Sequence, residues 1–289
     1  MTNRIIIRDK KGNYFFKDIC DNYNIYEMYG IKTGQKLYSK LSRRGIYIFG
    51  DWKKDIKNCD EAIIFESLYN ERIAKYIKRK NPSCRIILFF WNIIIDNTRK
   101  RYLEDPMIDE FWTFDSADAK KYKMNINSQF YTKKIKLNDK KREFDVIFLG
   151  RDKGRKEKIL KIEKKLNENG INTNITIIPE KSKKYIKYST YLKNIEKSKV
   201  ILDFVIEGQK GLTLRCMESL FFKRKLITNN KEIKKYNFYN PNNIFILEED
   251  NFQNINEFIN TEYEEIDSEI IEYYDIENWL KRFDKIKKG

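Results

Sequence analysis

The chain contains no histidine. That absence removes the usual Cys/His zinc sites and every Ser-His-Asp or Cys-His nucleophile system. Its four cysteines, Cys20, Cys59, Cys84 and Cys216, lie far apart and form no C-x-x-C pair. The expectation is therefore reduced thiols in a cytosolic protein rather than a disulfide framework. Long apolar runs are also missing. The most apolar segment, "IILFFWNIII", spans ten residues and includes Asn92, well short of the roughly 20 residues that cross a bilayer. The opening "MTNRIIIRDKKG" is too short in apolar residues for a signal peptide. A soluble chain, at most lying on a membrane surface, follows. Neither G-x-G-x-x-G nor G-x-x-x-x-G-K-[ST] occurs, and no D-x-D triplet occurs. The first two absences withhold support from a nicotinamide dinucleotide fold and an NTPase loop.

What is present is charge and apolar bulk. Of 289 residues, 41% are hydrophobic, enough for a sizeable core, and the formal charge is +16. The charge is uneven: Lys133 to Lys199 is densely basic, Glu248 to Glu277 acidic, and the last residues basic again. Such a surplus suits nucleic acid, an anionic membrane or phosphorylated small molecules, and in places it is simply a solvated surface.

Strands alternate with helices. "GIYIF", "EAIIFE" and "RIILFFW" are strand-length apolar runs. Between the last two, "SLYNERIAKYIKRKNPS" reads as a helix with Leu68, Ile73 and Ile77 on its apolar face and Asn81-Pro82 as its stop. "EFWTFD" is a further strand, and "SADAKKY" a helix capped by Ser116 or Asp115. "KKIKLNDKKRE", residues 133 to 143, is polar and aperiodic and reads as a domain boundary. The alternation then restarts: strand "FDVIFLG", a helix from about Gly154 to Asn169 stopped by Gly170, strand "TNITII", helix "YLKNIEKS", strand "KVILDFV", helix "LTLRCMESLFF", strand "KLIT", strand "NIFIL" and an acidic helical tail. This pattern predicts α/β architecture: two Rossmann-like parallel-sheet domains facing each other across a crevice, with ligands at the carboxyl ends of the strands. The domains fall at 1–135 and 144–265. Residues 266–289 form a tail whose last helix, with Ile276, Leu280, Phe283 and Ile286 on one side, is expected to pack on the first domain.

Two stretches of the second half carry candidate chemistry. In "FLGRDKGRKEKI", a strand ends at Gly150, and Arg151, Lys153 and Arg155 precede a helix whose free amides suit an anion, above all phosphate. In "EGQKGLTLRCMESLFFKRKLITNN", Gly208 and Gly211 permit close backbone approach, and Gln209, Thr213 and Arg215 lie at a helix start. Glu218, flanked by apolar residues, is placed to accept two hydrogen bonds from a ribose diol. In the first half, acids at strand ends are candidates for the base that an inverting transfer needs, which without histidine must be a carboxylate. Glu66 and Asp51 lead. Asp115 reads as an N-cap, Asp118 lies beside it, and Trp91-Asn92 shapes an acceptor pocket or packs.

Together these stretches resemble the donor-binding half of two-Rossmann (GT-B) glycosyltransferases. In the large retaining family of that type, a Gly-Arg turn and a lysine hold the nucleotide diphosphate and a glutamate holds the ribose. The resemblance matches Arg151 and Lys153 to the former and Glu218 to the latter. The loop here is longer than the family's, which leaves Glu207 or Gln209 as the earlier partner. More narrowly, "WN" at Trp91, "FWTFDSADAKKY", "FLGRDKGR", "GLTLRCMESLFFKRKLITNN" and "YNFYNPNNIFI" resemble a bacterial family of lipopolysaccharide core or capsule synthesis, from about Gly45 to Ile246. The resemblance implies sugar transfer from a nucleotide-sugar donor to a cell-surface glycan or lipid-linked glycan, with the last helix crossing back to the first domain. Lacking D-x-D, the enzyme is expected to use no metal and no other cofactor, with Arg151, Lys153 and Arg215 on the leaving diphosphate. It is expected in the cytoplasm, peripheral on the inner membrane face through anionic lipid. Two further readings are a transferase-like partner subunit without catalysis and a basic nucleic-acid-binding protein. Against the latter, no RRM-type interleaving, zinc finger or basic helix is found, so no nucleic-acid partner is expected.

Overall fold

A computed structural model of the chain describes residues 2–10, 14–30, 48–138, 140–183 and 186–284. The chain clusters into two units, Met1–Asn127 and Ser128–Gly289. Each is an α/β unit built on an all-parallel sheet, as the alternation predicts.

The first sheet runs β2-β1-β3-β4-β5-β6. Its strands are β1 (Arg4–Arg8), β2 (Ile25–Glu27), β3 (Glu61–Phe65), β4 (Arg85–Phe90), β5 (Glu110–Thr113) and β6 (Asn125–Ile126). Helices cover both faces of such a sheet, so β3 and β4 read as unbroken apolar runs and not as alternations. β1, "RIIIR", follows the same rule but is only five residues long, and the sequence reading passed over it. The strand expected at "GIYIF" has residues 45–47 outside the described residues. Among the described residues Phe49 forms an antiparallel bridge to Tyr29.

Helix α1 (Glu71–Lys80) buries Ile73, Ala74 and Ile77. Asn70 caps its start, and three cations in its last turn complement the helix dipole. Leu68 is not on its apolar face: it precedes the helix in a left-handed conformation, φ 62°, and is 59% exposed. A short helix α2 (Asn97–Tyr102), capped by Asp96, was not anticipated. Helix α3 (Ser116–Tyr122) is capped by Asp115, whose side chain accepts from the amides of Ala117 and Asp118.

At the amino edge of this sheet, charges alternate across four strands. Arg4 pairs with Glu61, Glu61 with Arg85, and Arg85 forks onto both oxygens of Glu110 at 2.9 and 2.6 Å. The backbone register sets Arg4 opposite Glu61 and Glu61 opposite Arg85. A slip of one residue would turn every one of these groups to the other face.

The second sheet runs β11-β10-β9-β7-β8. It comprises β7 (Phe144–Arg151), β8 (Thr173–Ile178), β9 (Ser198–Asp203), β10 (Lys225–Thr228) and β11 (Ile244–Ile246). Its helices are α4 (Lys156–Glu168), α5 (Tyr188–Glu196), α6 (Leu214–Phe222) and α7 (Ile255–Asn260), followed by α8 (Ser268–Tyr273) and α9 (Ile276–Lys281). Val146, Phe148, Val200, Leu202 and Ile227 from the strands meet Ile159 and Leu166 of α4 and Ile255, Phe258 and Ile259 of α7 in one apolar cluster.

The division at Asn127–Ser128 precedes the polar stretch expected as the linker, and the reason is a strand-like pairing. Tyr131 bridges Asp275 in parallel, donating from its amide to Tyr274 and accepting from the amide of Ile276, both at 2.9 Å. Phe130 stacks on Trp279 at 4.0 Å between ring centroids, and the Trp279 indole donates to the Ser128 carbonyl at 2.9 Å. The tail therefore packs on residues 128–133 through Ile276, Trp279 and Phe283, with Leu280 half-buried. Ile286 lies outside the described residues.

Removing one charge from the amino-edge ladder leaves guanidinium groups facing a low-dielectric wall. Glu61→Ala is expected to lower the unfolding free energy on the order of 3 kcal/mol, read by urea denaturation. An unchanged midpoint would mean the ladder is decorative.

Candidate functional site

The carboxyl edge of the second sheet gathers most of the residues singled out in the sequence. β7 delivers Gly150 and Arg151 to a tight turn. Lys153 (φ 48°) and Gly154 (φ 75°) are left-handed there, and the Asp152 carboxylate accepts from the amides of Arg155 and Lys156 at 3.1 and 2.9 Å. Helix α4 thus begins at Lys156, two residues later than expected, because Asp152 and not a glycine organises its first turn.

The three arginines all turn to backbone carbonyls. Arg151 donates to Glu180 and Ser182 beyond β8, at 3.2 and 3.1 Å. Lys153 is exposed, and its amide donates to the Glu180 carboxylate at 3.0 Å. Arg155 is buried, donating to the carbonyls of Phe204 and, at 3.3 Å, Arg151. Arg215 donates to the Leu149 carbonyl at 2.7 Å, with another guanidinium nitrogen 3.7 Å from Asp203. The guanidiniums of buried Arg155 and half-buried Arg215 lie over the Phe148 ring, at 5.4 and 4.7 Å. Burial first, and the charge of Arg215 second, push Arg155 down to about 10. Gly150 makes this pairing possible. A Cβ there would stand 2.5 Å from an Arg215 nitrogen and 3.4 Å from one of Arg155.

Asp203 organises the start of α6 and escaped the sequence reading, although a carboxylate inside "VILDF" is a visible anomaly. It closes β9 and is fully buried. Thr213 donates its hydroxyl to Asp203 at 2.8 Å while accepting from the Arg215 amide at 3.2 Å, so it caps α6 and ties it to the sheet. Thr228, at the end of β10, donates to the other Asp203 oxygen at 3.2 Å. Burial beside this carboxylate pushes the Cys216 thiol well up. Upstream, Glu207 is exposed, Gly208 is left-handed at φ 84°, and the Gly211 carbonyl accepts from Gln209 and Asn230, at 3.2 and 3.3 Å.

Glu218 does accept two hydroxyl hydrogen bonds, but from the protein itself. Tyr188 and Tyr191 of α5 donate to its two oxygens at 2.6 and 2.8 Å, and Tyr131 lies 2.6 Å from the Tyr188 hydroxyl. The carboxylate is 1% exposed, so a ribose diol would have to displace both tyrosines. Glu218 faces α5, whose tyrosines the sequence alone did not point to. Burial raises Glu218 from the ordinary 4.5 to about 7. The two tyrosines and Arg215 oppose that shift, and Asp203 adds to it.

In the first unit, Glu66 directly follows β3 and is 1% exposed. It accepts from the Trp91 amide at 2.8 Å, the Asn92 side chain at 2.6 Å and Arg99 at 3.4 Å. Burial pushes its carboxyl up against those three donors. Asp51 is elsewhere in character: it opens a one-turn helix (Asp51–Lys54), is 75% exposed in its side chain and pairs with Lys54 at 2.8 Å. Asp118 accepts from the Ile94 amide at 2.8 Å, holding the loop after β4. Among the described residues no three Cys, Asp or Glu side chains converge to hold a metal ion, and no helix is long and apolar enough to cross a membrane.

No protein-family model matches the chain, and no curated protein matches its sequence. Among solved structures, the apo form of the lipopolysaccharide outer core galactosyltransferase WaaB is similar over 98% of this chain and 98% of its own, at 12% identity and a TM-score of 0.48. The accessory secretory protein 1, 2 and 3 structure from Streptococcus pneumoniae is similar over 79% of this chain and 50% of its own, at 11% identity and a TM-score of 0.43. A GtfA/B complex bound to UDP and GlcNAc is similar over 77% of this chain and 55% of its own, at 12% identity and a TM-score of 0.30.

The buried glutamate makes stability depend on pH with a definite sign. Between about 4.5 and 7 the folded chain holds a proton on Glu218 that the unfolded chain has lost. Its contribution is complete below that window and disappears as pH rises through it, by about 3 kcal/mol. Glu218→Gln is expected to flatten this slope, gaining on the native chain at pH 8 but not at pH 4. Parallel urea midpoints for the two proteins from pH 4 to 8 would sink the assignment.

Proposed function

We propose that the chain is a glycosyltransferase that moves a sugar from a nucleotide-sugar donor to a growing cell-surface glycan, without a metal ion. The observation that carries the reading is the start of α6. Thr213 and the buried Asp203 fix this helix N-terminus at the carboxyl edge of a parallel sheet, with Arg155 and Arg215 beside it over Gly150. Free amides at a helix start together with two guanidiniums are suited to the charge that grows on a departing diphosphate. Arg151 and Lys153, on the neighbouring turn, are the outer cations of the same edge.

Glu66 is the better of the two candidate bases. It is held by three donors, and burial raises its proton affinity, as a base working near neutrality requires. Asp51 is exposed and pairs with Lys54. In the proposed step an acceptor hydroxyl gives its proton to Glu66. Its oxygen forms a bond to the anomeric carbon, and the bond from that carbon to the nucleotide diphosphate breaks. Lipopolysaccharide core, O-antigen or capsule is the destination, and the basic surplus of the chain suits a peripheral stay on the anionic inner leaflet.

One observation favours a second reading, a donor-site fold serving as a partner subunit. The three arginines already donate to protein carbonyls, and Glu218 is taken by tyrosines. Binding and turnover separate the two readings. A nucleoside diphosphate at about 100 times its Kd should add roughly 2.7 kcal/mol to stability, raising the melting temperature selectively for one base. Gly150→Ala, which pushes on Arg215, should lose most of that shift. Glu66→Gln should keep the shift and lose about a hundredfold or more in kcat. No shift with any nucleotide sinks the transferase reading; a shift without turnover on any acceptor selects the partner subunit.

A further inference from the structure

The carboxyl edge of the first sheet holds a buried donor with no partner among the described residues. Arg8 closes β1, which neighbours β3, and is 5% exposed. Its guanidinium lies 3.6 Å from the centre of the Phe16 ring and 5.5 Å from that of Phe65. Its Nε and one terminal nitrogen reach a single Asp9 oxygen at 3.4 and 3.2 Å. The other terminal nitrogen, Nη1, is buried with no hydrogen-bond partner among the described residues. Stacking on Phe16 occupies the face of the guanidinium and leaves this in-plane N–H unspent. Burying an unpaired donor of a charged group is costly, so this nitrogen calls for an acceptor.

The surroundings say which kind of acceptor. Both guanidiniums of this edge already have carboxylates from their own loops, Arg8 from Asp9 and Arg99 from Asp96. A further anion would find three carboxylates, Asp9, Glu66 and Asp96, around two guanidiniums. A neutral oxygen meets no such penalty. Glu66 acts on Arg8 electrostatically, and the Asn92 carboxamide donates to one Glu66 oxygen at 2.6 Å. Planar donors and acceptors side by side match the vicinal hydroxyls of a sugar, each of which both gives and receives a hydrogen bond. Part-exposed rings border the group: Trp91, whose centroid is 5.9 Å from that of Phe16, and Tyr14, 48% exposed. Tyr14 and Leu68 hold left-handed backbone, φ 52° and 62°. Such strain in non-glycine residues gathers at ligand sites.

We propose that this edge is a subsite for an uncharged hexose, with Arg8 Nη1 donating to one hydroxyl and Glu66 accepting from its neighbour. It deepens the transferase reading, on which the assignment of this hexose as the acceptor terminus rests. The hexose stacks on the rim formed by Trp91 and Tyr14.

Trp91 is the reporter. Titration of the full chain with methyl α-glucoside, galactoside and mannoside should change its fluorescence saturably for at least one, and Trp91→Phe should abolish the response. Glucuronic acid and glucose 6-phosphate should bind at least about tenfold more weakly. Arg8→Met should remove binding; should that variant fail to fold, Arg8→Lys, which lacks the planar fork, should still weaken it about tenfold or more. The nucleotide-induced melting shift is to be measured on the same variants and should persist. A silent titration with the nucleotide shift intact overturns the subsite and leaves the donor site standing. Equal binding of the charged sugars, or undiminished binding by both Arg8 variants, overturns it as well. Hexoside binding without any nucleotide shift upholds the subsite while the transferase reading falls.

Discussion

A carboxylate buried at the end of a parallel strand has to be surrounded by donors, and both units are arranged around that necessity. In the first, Glu66 follows β3 and collects an amide, a carboxamide and a guanidinium from the segment after β4. In the second, Asp203 ends β9 and collects hydroxyls from the loop before α6 and from the end of β10, with Arg215 nearby. An unpaired charge at either place would cost several kcal/mol. The loops are therefore not free to wander: the donors they carry dictate where each begins its next element. The groups that meet these buried acids are also the ones on which the proposed sites are built.

The opposite edges do different work. At the amino edge of the first sheet, Arg4, Glu61, Arg85 and Glu110 compensate one another across adjacent strands, fixing register with no group left over. At the carboxyl edges the balance is uneven, with a nitrogen on Arg8 and another on Arg155 that have no hydrogen-bond partner among the described residues. One edge is closed chemically and the other is open. Tyr14, Leu68 and Lys153, three of the residues with left-handed backbone, lie at the open edges.

Strand positions were legible because the buried parallel strands carry apolar runs, as in "EAIIF", "RIILFF" and "KLIT", while the edge strand "TNITII" is marked by its β-branched residues. The cap at Asp115 and the stop at Asn81 were legible because both rest on side-chain chemistry within a few residues. "RIIIR" and α2 were missed, being too short for periodicity to register. Glu218 was recognised as significant from its apolar neighbours, yet its partners, Tyr188 and Tyr191, come from a helix some 30 residues away, and nothing local encodes that meeting. The same holds for Arg151: its cationic turn was plain, but the carbonyls it binds lie beyond β8. The boundary was placed by composition, whereas the tail's pairing with Tyr131 is a contact between positions 144 residues apart in sequence.

Tyr131 joins two things that sequence keeps apart. Its backbone holds Tyr274 and Ile276 of the tail, and its hydroxyl meets Tyr188, which in turn reaches Glu218. Residues 274–276 are thus wired to the interior of the second unit by one ring. Trimming them, or fusing a partner to the tail, is an edit made at the surface and read out at a buried glutamate.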